Sequence, residues 1–135
     1  LRAALADHLW SRERLADLKL GLHYVRDARR PPLSDRDRLW LTSLYLALAE
    51  YVTARPAFGA STIARDQAAR ALLAVYELVP EVRAFAPEGL NTDQRLPMNM
   101  GIVLLSRDPA VLRRAICAAR EWYDKQAAEA ESKEH

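Results

Sequence analysis

The chain has 135 residues, 50% hydrophobic and 28% charged, with 20 basic against 18 acidic side chains. That length fits one domain with room for a real core, and the composition excludes an intrinsically disordered chain. A formal net charge of +2 excludes a strongly basic nucleic-acid binder, even with a pI of about 8.9.

Cys117 is the single cysteine, so no internal disulfide can form. That usage suits a reducing compartment, and an intracellular location, cytoplasmic or nuclear, is expected. No signal peptide is read, and the chain opens on Leu1 without a Met, so a fragment of a longer protein is expected. The longest near-continuous apolar run, 14 residues, is too short to cross a bilayer, so no membrane partner is expected.

Residues 1–10 (LRAALADHLW) read as a short amphipathic helix with Leu1, Leu5 and Leu9 on one side. The register then shifts. From Leu15 the apolar positions are 15, 18, 22 and 25, with Ser11 as a cap and Trp10 positioned to staple onto Leu15. Arg29 and Arg30 favour the end of that helix, and Pro31-Pro32 stop it.

Ser34-Asp35-Arg36-Asp37 is a helix start, with a hydroxyl cap and two acids in the first turn. The stretch that follows, Leu39 to Val52, has eleven apolar or aromatic residues in fourteen; only Thr42, Ser43 and Glu50 interrupt it. A helix apolar almost all round wants cover on every side. It is expected to be the central helix, over about 35–54, ending before Pro56.

PAFGAS, residues 56–61, is a loop, and Ser61 or Thr62 starts the next helix. Its stripe is Ile63, Ala68, Ala71, Leu72, Val75, Tyr76 and Val79. Pro80 breaks it and opens a short helix through Phe85. Residues 86–97 form a long irregular loop of the kind that is functional or mobile. Residues 102–105 fit a strand or a buried helical turn; with no second strand to pair, helix is expected.

Asp108-Pro109 caps the last helix, which is expected to reach about residue 130. It turns Leu112, Ala115, Ile116, Ala119, Trp122 and Tyr123 inward and Arg113, Arg114, Arg120, Glu121, Asp124 and Lys125 outward. Residues 131–135 are expected to be a frayed polar tail. The sum is an all-α fold: a single compact domain, residues 1–130, of five to six helices around one apolar helix.

The constellations that carry chemistry are sparse. His23 and Asp27 lie one turn apart, but a metal site in a bundle needs facing pairs, so no metal or cofactor is expected. Cys117 has Arg113 and Arg120 one turn to either side, which favours a thiolate, but no histidine lies near it in sequence to act as base. Glu50 is either an acid poised for proton transfer or a member of a polar seam with Ser43 that reaches an arginine. Phosphate-loop and nucleophile-elbow patterns are absent. The chain is therefore expected not to be an enzyme.

Two features remain. Arg26, Arg29, Arg30, Arg36 and Arg38 gather around the Pro31-Pro32 turn, a candidate contact for a phosphate backbone or an acidic protein. Asp27, Asp35 and Asp37 partly neutralise them. The surplus apolar surface of the central helix is a candidate self-association face, with Trp40, Leu44, Ala47, Leu48 and Tyr51.

The resulting expectation is a non-enzymatic helical interaction or oligomerisation domain of a regulatory protein, with a protein partner that includes a second copy of itself. One alternative is a nucleic-acid-binding regulator using the turn at 26–38. A second is a helical bundle holding a small ligand between the central helix and residues 86–105.

Overall fold

The computed structural model describes residues 33–88, 90 and 95–134. They form α1 (Asp35–Thr53), α2 (Thr62–Leu78), a 3₁₀ segment (Pro80–Phe85), α3 (Met98–Leu105) and α4 (Pro109–Glu134). No strand occurs among them, and the domain is all-α. The helices expected over 1–10 and from Leu15, the Trp10 staple and the Pro31-Pro32 stop lie outside the described residues, as do 89 and 91–94 of the loop.

Each long helix begins on a side-chain cap. The Asp37 amide donates to Ser34 Oγ at 3.1 Å, the Ala64 amide to Ser61 Oγ at 3.2 Å, and the Ala110 amide to Asp108 Oδ1 at 2.9 Å. These bonds satisfy amides that a helix start otherwise leaves orphaned. Helix α1 ends at its Ala54 C-cap, two residues before Pro56. After α2, Val79 leaves the helical region (φ −134°, ψ 81°) and Pro80 opens the 3₁₀ turn. Residues 102–105 are helical.

Helix α4 runs to Glu134, so residues 131–134 are helical, past the expected end near residue 130. Ala, Glu and Lys are good helix formers, and Glu129 and Lys133 are spaced for an i,i+4 pair.

Burial is shared between α1 and α2 differently from the sequence expectation. Helix α2 packs against every other described element. It buries Ala68, Ala69, Ala71, Leu72, Ala74, Val75, Tyr76 and Leu78, a wide face bounded by exposed Arg70 and half-buried Leu73 and Glu77. Four of those are alanines, whose small size lets neighbouring helices approach closely. Its buried portion begins at Ala68, so the first turn stands clear, and Ile63 is 75% exposed where the stripe places it inward.

Helix α1 contributes one face: Leu41, Thr42, Tyr45, Leu46, Ala49 and Val52 are buried. Thr42 is wholly buried because its hydroxyl donates to the Arg38 carbonyl oxygen at 2.7 Å. Ser43 does the same to Trp40 at 2.7 Å, so these interruptions are absorbed within the helix.

Helix α4 completes the core with Leu112, Ala115, Ile116 and Ala119, and α3 adds Ile102 and Leu105. Helices α1 and α4 run antiparallel. Glu50 of α1 meets Arg120 of α4, while Asp35 and Leu39, three to four turns earlier in α1, border a cleft with Gln126, Glu129 and Lys133. Phe58, in the loop between α1 and α2, is fully buried, with the Arg113 guanidinium 4.9 Å from its ring centroid.

Candidate interaction surface

Beyond its buried face, α1 carries further apolar residues. Trp40 is 60% exposed, and Leu44, Ala47, Leu48 and Tyr51 are half-buried. At 100° per residue the core residues Tyr45, Ala49 and Val52 centre on the side of the helix opposite Trp40, Ala47 and Tyr51. One helix face is thus buried in the fold; on the other, Trp40 stands in water while Leu44, Leu48 and Tyr51 pack partly against the core.

Toward its C-terminal end this face opens into a groove of about 410 Å³ between α1, α2 and their loop, lined by Leu48, Tyr51, Val52, Arg55, Phe58 and Ile63 among others. Among the described residues its lining includes the cation Arg55 and no acid. The Arg55 guanidinium folds back on α1, donating to Tyr51 Oη at 2.5 Å and lying 5.0 Å from that ring's centroid. A second hollow of about 440 Å³, at the other end of α1, mixes Asp35, Arg38, Glu81, Glu129 and Lys133 around Trp122. Its opposed charges largely cancel, which leaves no single ligand charge preferred.

Of the arginine cluster, Arg26, Arg29 and Arg30 lie outside the described residues. Arg36 is exposed on α1, and Arg38 is held by Asp35 Oδ1 at 2.7 Å. The sequence-read ligand pocket between the central helix and residues 86–105 has a different neighbourhood here, since α3 packs chiefly against α2.

Glu50 reaches an arginine. Its Oε1 accepts from Arg120 Nε at 3.0 Å and also from Arg120 Nη2. Arg120, read from the sequence as outward-facing, is therefore half-buried and turned toward α1, while Asp124 lies 3.7 Å from its Nη1. Burial works against the guanidinium's charge. The hydrogen bond and field of Glu50, helped by Asp124, outweigh that cost and hold its pKa above the ordinary value.

Cys117 is exposed on α4. The two arginines expected to flank it are engaged elsewhere, Arg113 over Phe58 and Arg120 on Glu50. His8, His23, Asp27 and His135 lie outside the described residues. Among the described residues, no group of three or more His, Cys, Asp or Glu side chains could hold a metal ion. No described helix is long and apolar enough to cross a membrane.

Sequence reasoning missed three features. The Glu50–Arg120 bond joins residues 70 apart, with no local spacing to announce it. Phe58 sits in a stretch whose Pro, Gly and Ser residues read as surface loop. Tyr76 lies on the expected stripe, but its hydroxyl is buried without a hydrogen-bond partner among the described residues. The chain matches no protein-family model, no curated protein and no solved structure.

Proposed function

We propose that this chain is a non-enzymatic helical interaction domain of a regulatory protein, that it acts inside the cell, and that its outward α1 face is the working surface. The observation that carries the reading is Trp40, a large apolar side chain 60% exposed at the head of a row of half-buried apolar residues. Contiguous apolar surface is costly to leave in water, and on soluble domains it marks contact with another macromolecule. Aromatic anchors such as Trp and Tyr also dominate the energetics of protein–protein contacts.

The partner in this reading includes a second copy of the chain. Sedimentation equilibrium of the 135-residue chain, from micromolar to near-millimolar concentration, tests it. A weight-average mass that climbs from one chain toward two supports self-association. A mass that stays at one chain throughout removes it.

A further inference from the structure

We infer that residues 11–30 of this same chain are the resident occupant of the outer flank of α1. They fold back antiparallel along it, bring Trp10 to the groove beside Tyr51 and Arg55, and shield Leu44, Leu48 and Tyr51 from a partner. This rests on the reading of that face as the working surface and names what regulates it.

The first support is register. The apolar positions Leu15, Leu18, Leu22 and Val25 are separated by 3, 4 and 3 residues. On α1, Leu41, Leu44, Leu48 and Tyr51 are separated by 3, 4 and 3 as well. Laid antiparallel, the two rows set Leu15 opposite Tyr51, Leu18 opposite Leu48, Leu22 opposite Leu44 and Val25 opposite Leu41. All four pairs are symmetric about position 33, so a single turn there puts every one of them in step. Alternation of threes and fours is the seam along which two helices interlock side chains.

The second support is the connection. Four residues, Pro31-Pro32-Leu33-Ser34, separate Arg30 from the start of α1. Links of about two to five residues join antiparallel helix neighbours. Leu33 already packs against the core, so the chain enters α1 close to the body of the domain. A helix over residues 11–30 would be about 30 Å long, close to the length of the 19-residue α1. Its far end therefore arrives beside Arg55.

The third support is shape. The groove of about 410 Å³ lies at that end of α1, lined by Leu48, Tyr51, Arg55, Phe58 and Ile63 among others. In this register position 10 falls opposite position 56, which delivers the Trp10 indole to the mouth of the groove. A large ring there covers apolar surface, including Ile63, which is otherwise 75% exposed. Tyr51 and Arg55 each have an interaction besides the one they make with each other, so this end of the face is not bare.

While residues 11–30 lie on the flank, a second copy reaches Leu44, Leu48 and Tyr51 only by displacing them. The apparent affinity of the face is then reduced by the fraction of chains that are open.

The test uses the 135-residue chain. In a Cys117→Ser background, Leu18→Cys is combined with Leu48→Cys as the matched pair, or with Trp40→Cys as a pair eight positions out of step. Eight helical positions are about 12 Å, beyond the reach of a disulfide. After mild oxidation the matched pair is expected to close within the monomer and the other pair to stay open. Separately, Leu18→Glu with Leu22→Glu spoils the apolar row without touching α1. Sedimentation equilibrium is expected to show a dimer dissociation constant about tenfold lower, as the open fraction rises from about a tenth to nearly all.

Neither pair closing, or both closing equally, overturns the fold-back. Closure of the matched pair with a dimer constant unmoved by the glutamates overturns the shielding while self-association stands. A mass of one chain both before and after the glutamate substitutions overturns the self-association reading, and closure of the matched pair then still supports the fold-back.

Discussion

Leu46 and Leu44 are two residues apart on α1 with opposite environments. Leu46 is fully buried, whereas Leu44 is half-buried on the outward face. Replacing Leu46 with Ala removes apolar contacts and leaves a void among residues that cannot fully close it. Such changes cost roughly 2–5 kcal/mol, and the complete burial of Leu46 places it in the upper half of that range. The same change at Leu44 opens toward solvent and forms no closed cavity, so a cost below about 2 kcal/mol follows. For a domain with a total stability of about 5–15 kcal/mol the first change is severe and the second is mild. Urea unfolding followed by circular dichroism separates them, provided the slope with urea is common to all variants. Equal losses at Leu44 and Leu46, or a loss under about 1 kcal/mol at Leu46, would refute the division of α1 into a core face and an outward face.

Other consequences follow from particular contacts. Phe58→Ala is expected to cost about 3–5 kcal/mol, since a fully buried ring leaves the α1–α2 loop. Arg113→Ala, which strips only the cation above that ring, is expected to cost about 0.5–1 kcal/mol in the same unfolding assay. Glu50→Ala and Arg120→Ala are each expected to destabilise, and a double-mutant cycle should return a coupling of about 0.5–1.5 kcal/mol; no coupling would mean that the bond does not tie α1 to α4.

Burial pushes the Tyr76 phenol up to about 12, with Arg83 pulling the other way. The folded protein thus holds that proton more tightly than the unfolded chain. The resulting stability is intact below the unfolded value of 10.0 and is lost as pH rises through about 12. Tyr76→Phe should therefore flatten the alkaline fall in stability by about 2–3 kcal/mol. It should also leave stability at pH 7 unchanged or slightly improved, because the hydroxyl has no hydrogen-bond partner among the described residues. Fluorescence anisotropy with labelled duplex DNA is expected to show no steeply salt-dependent binding; such binding, abolished by Arg29→Ala with Arg30→Ala, would favour the nucleic-acid alternative.

The helix boundaries were legible because they are local. Ser34, Ser61 and Asp108 cap from positions where hydroxyl or carboxylate oxygen reaches the next turn's amides, and Pro56 and Pro80 follow helix ends. Short-range geometry of that kind is written in neighbouring residues. The two exceptions, Ile63 and the last turn of α4, concern how far a helix reaches past its neighbours, which no residue within the helix reports.

By itself, the sequence determined that this is an all-α chain, where its described helices start, and that α1 carries more apolar surface than one core face requires. Those properties follow from propensity, capping and periodicity, which act within a few residues. Only the tertiary structure decided that alanine-rich α2 is the more enclosed helix, that Arg120 turns inward to Glu50, and that Trp40 heads the face left to water. Each of these depends on which surfaces meet across long chain separations, and a side chain's environment is set by its neighbours in space more than by its own chemistry.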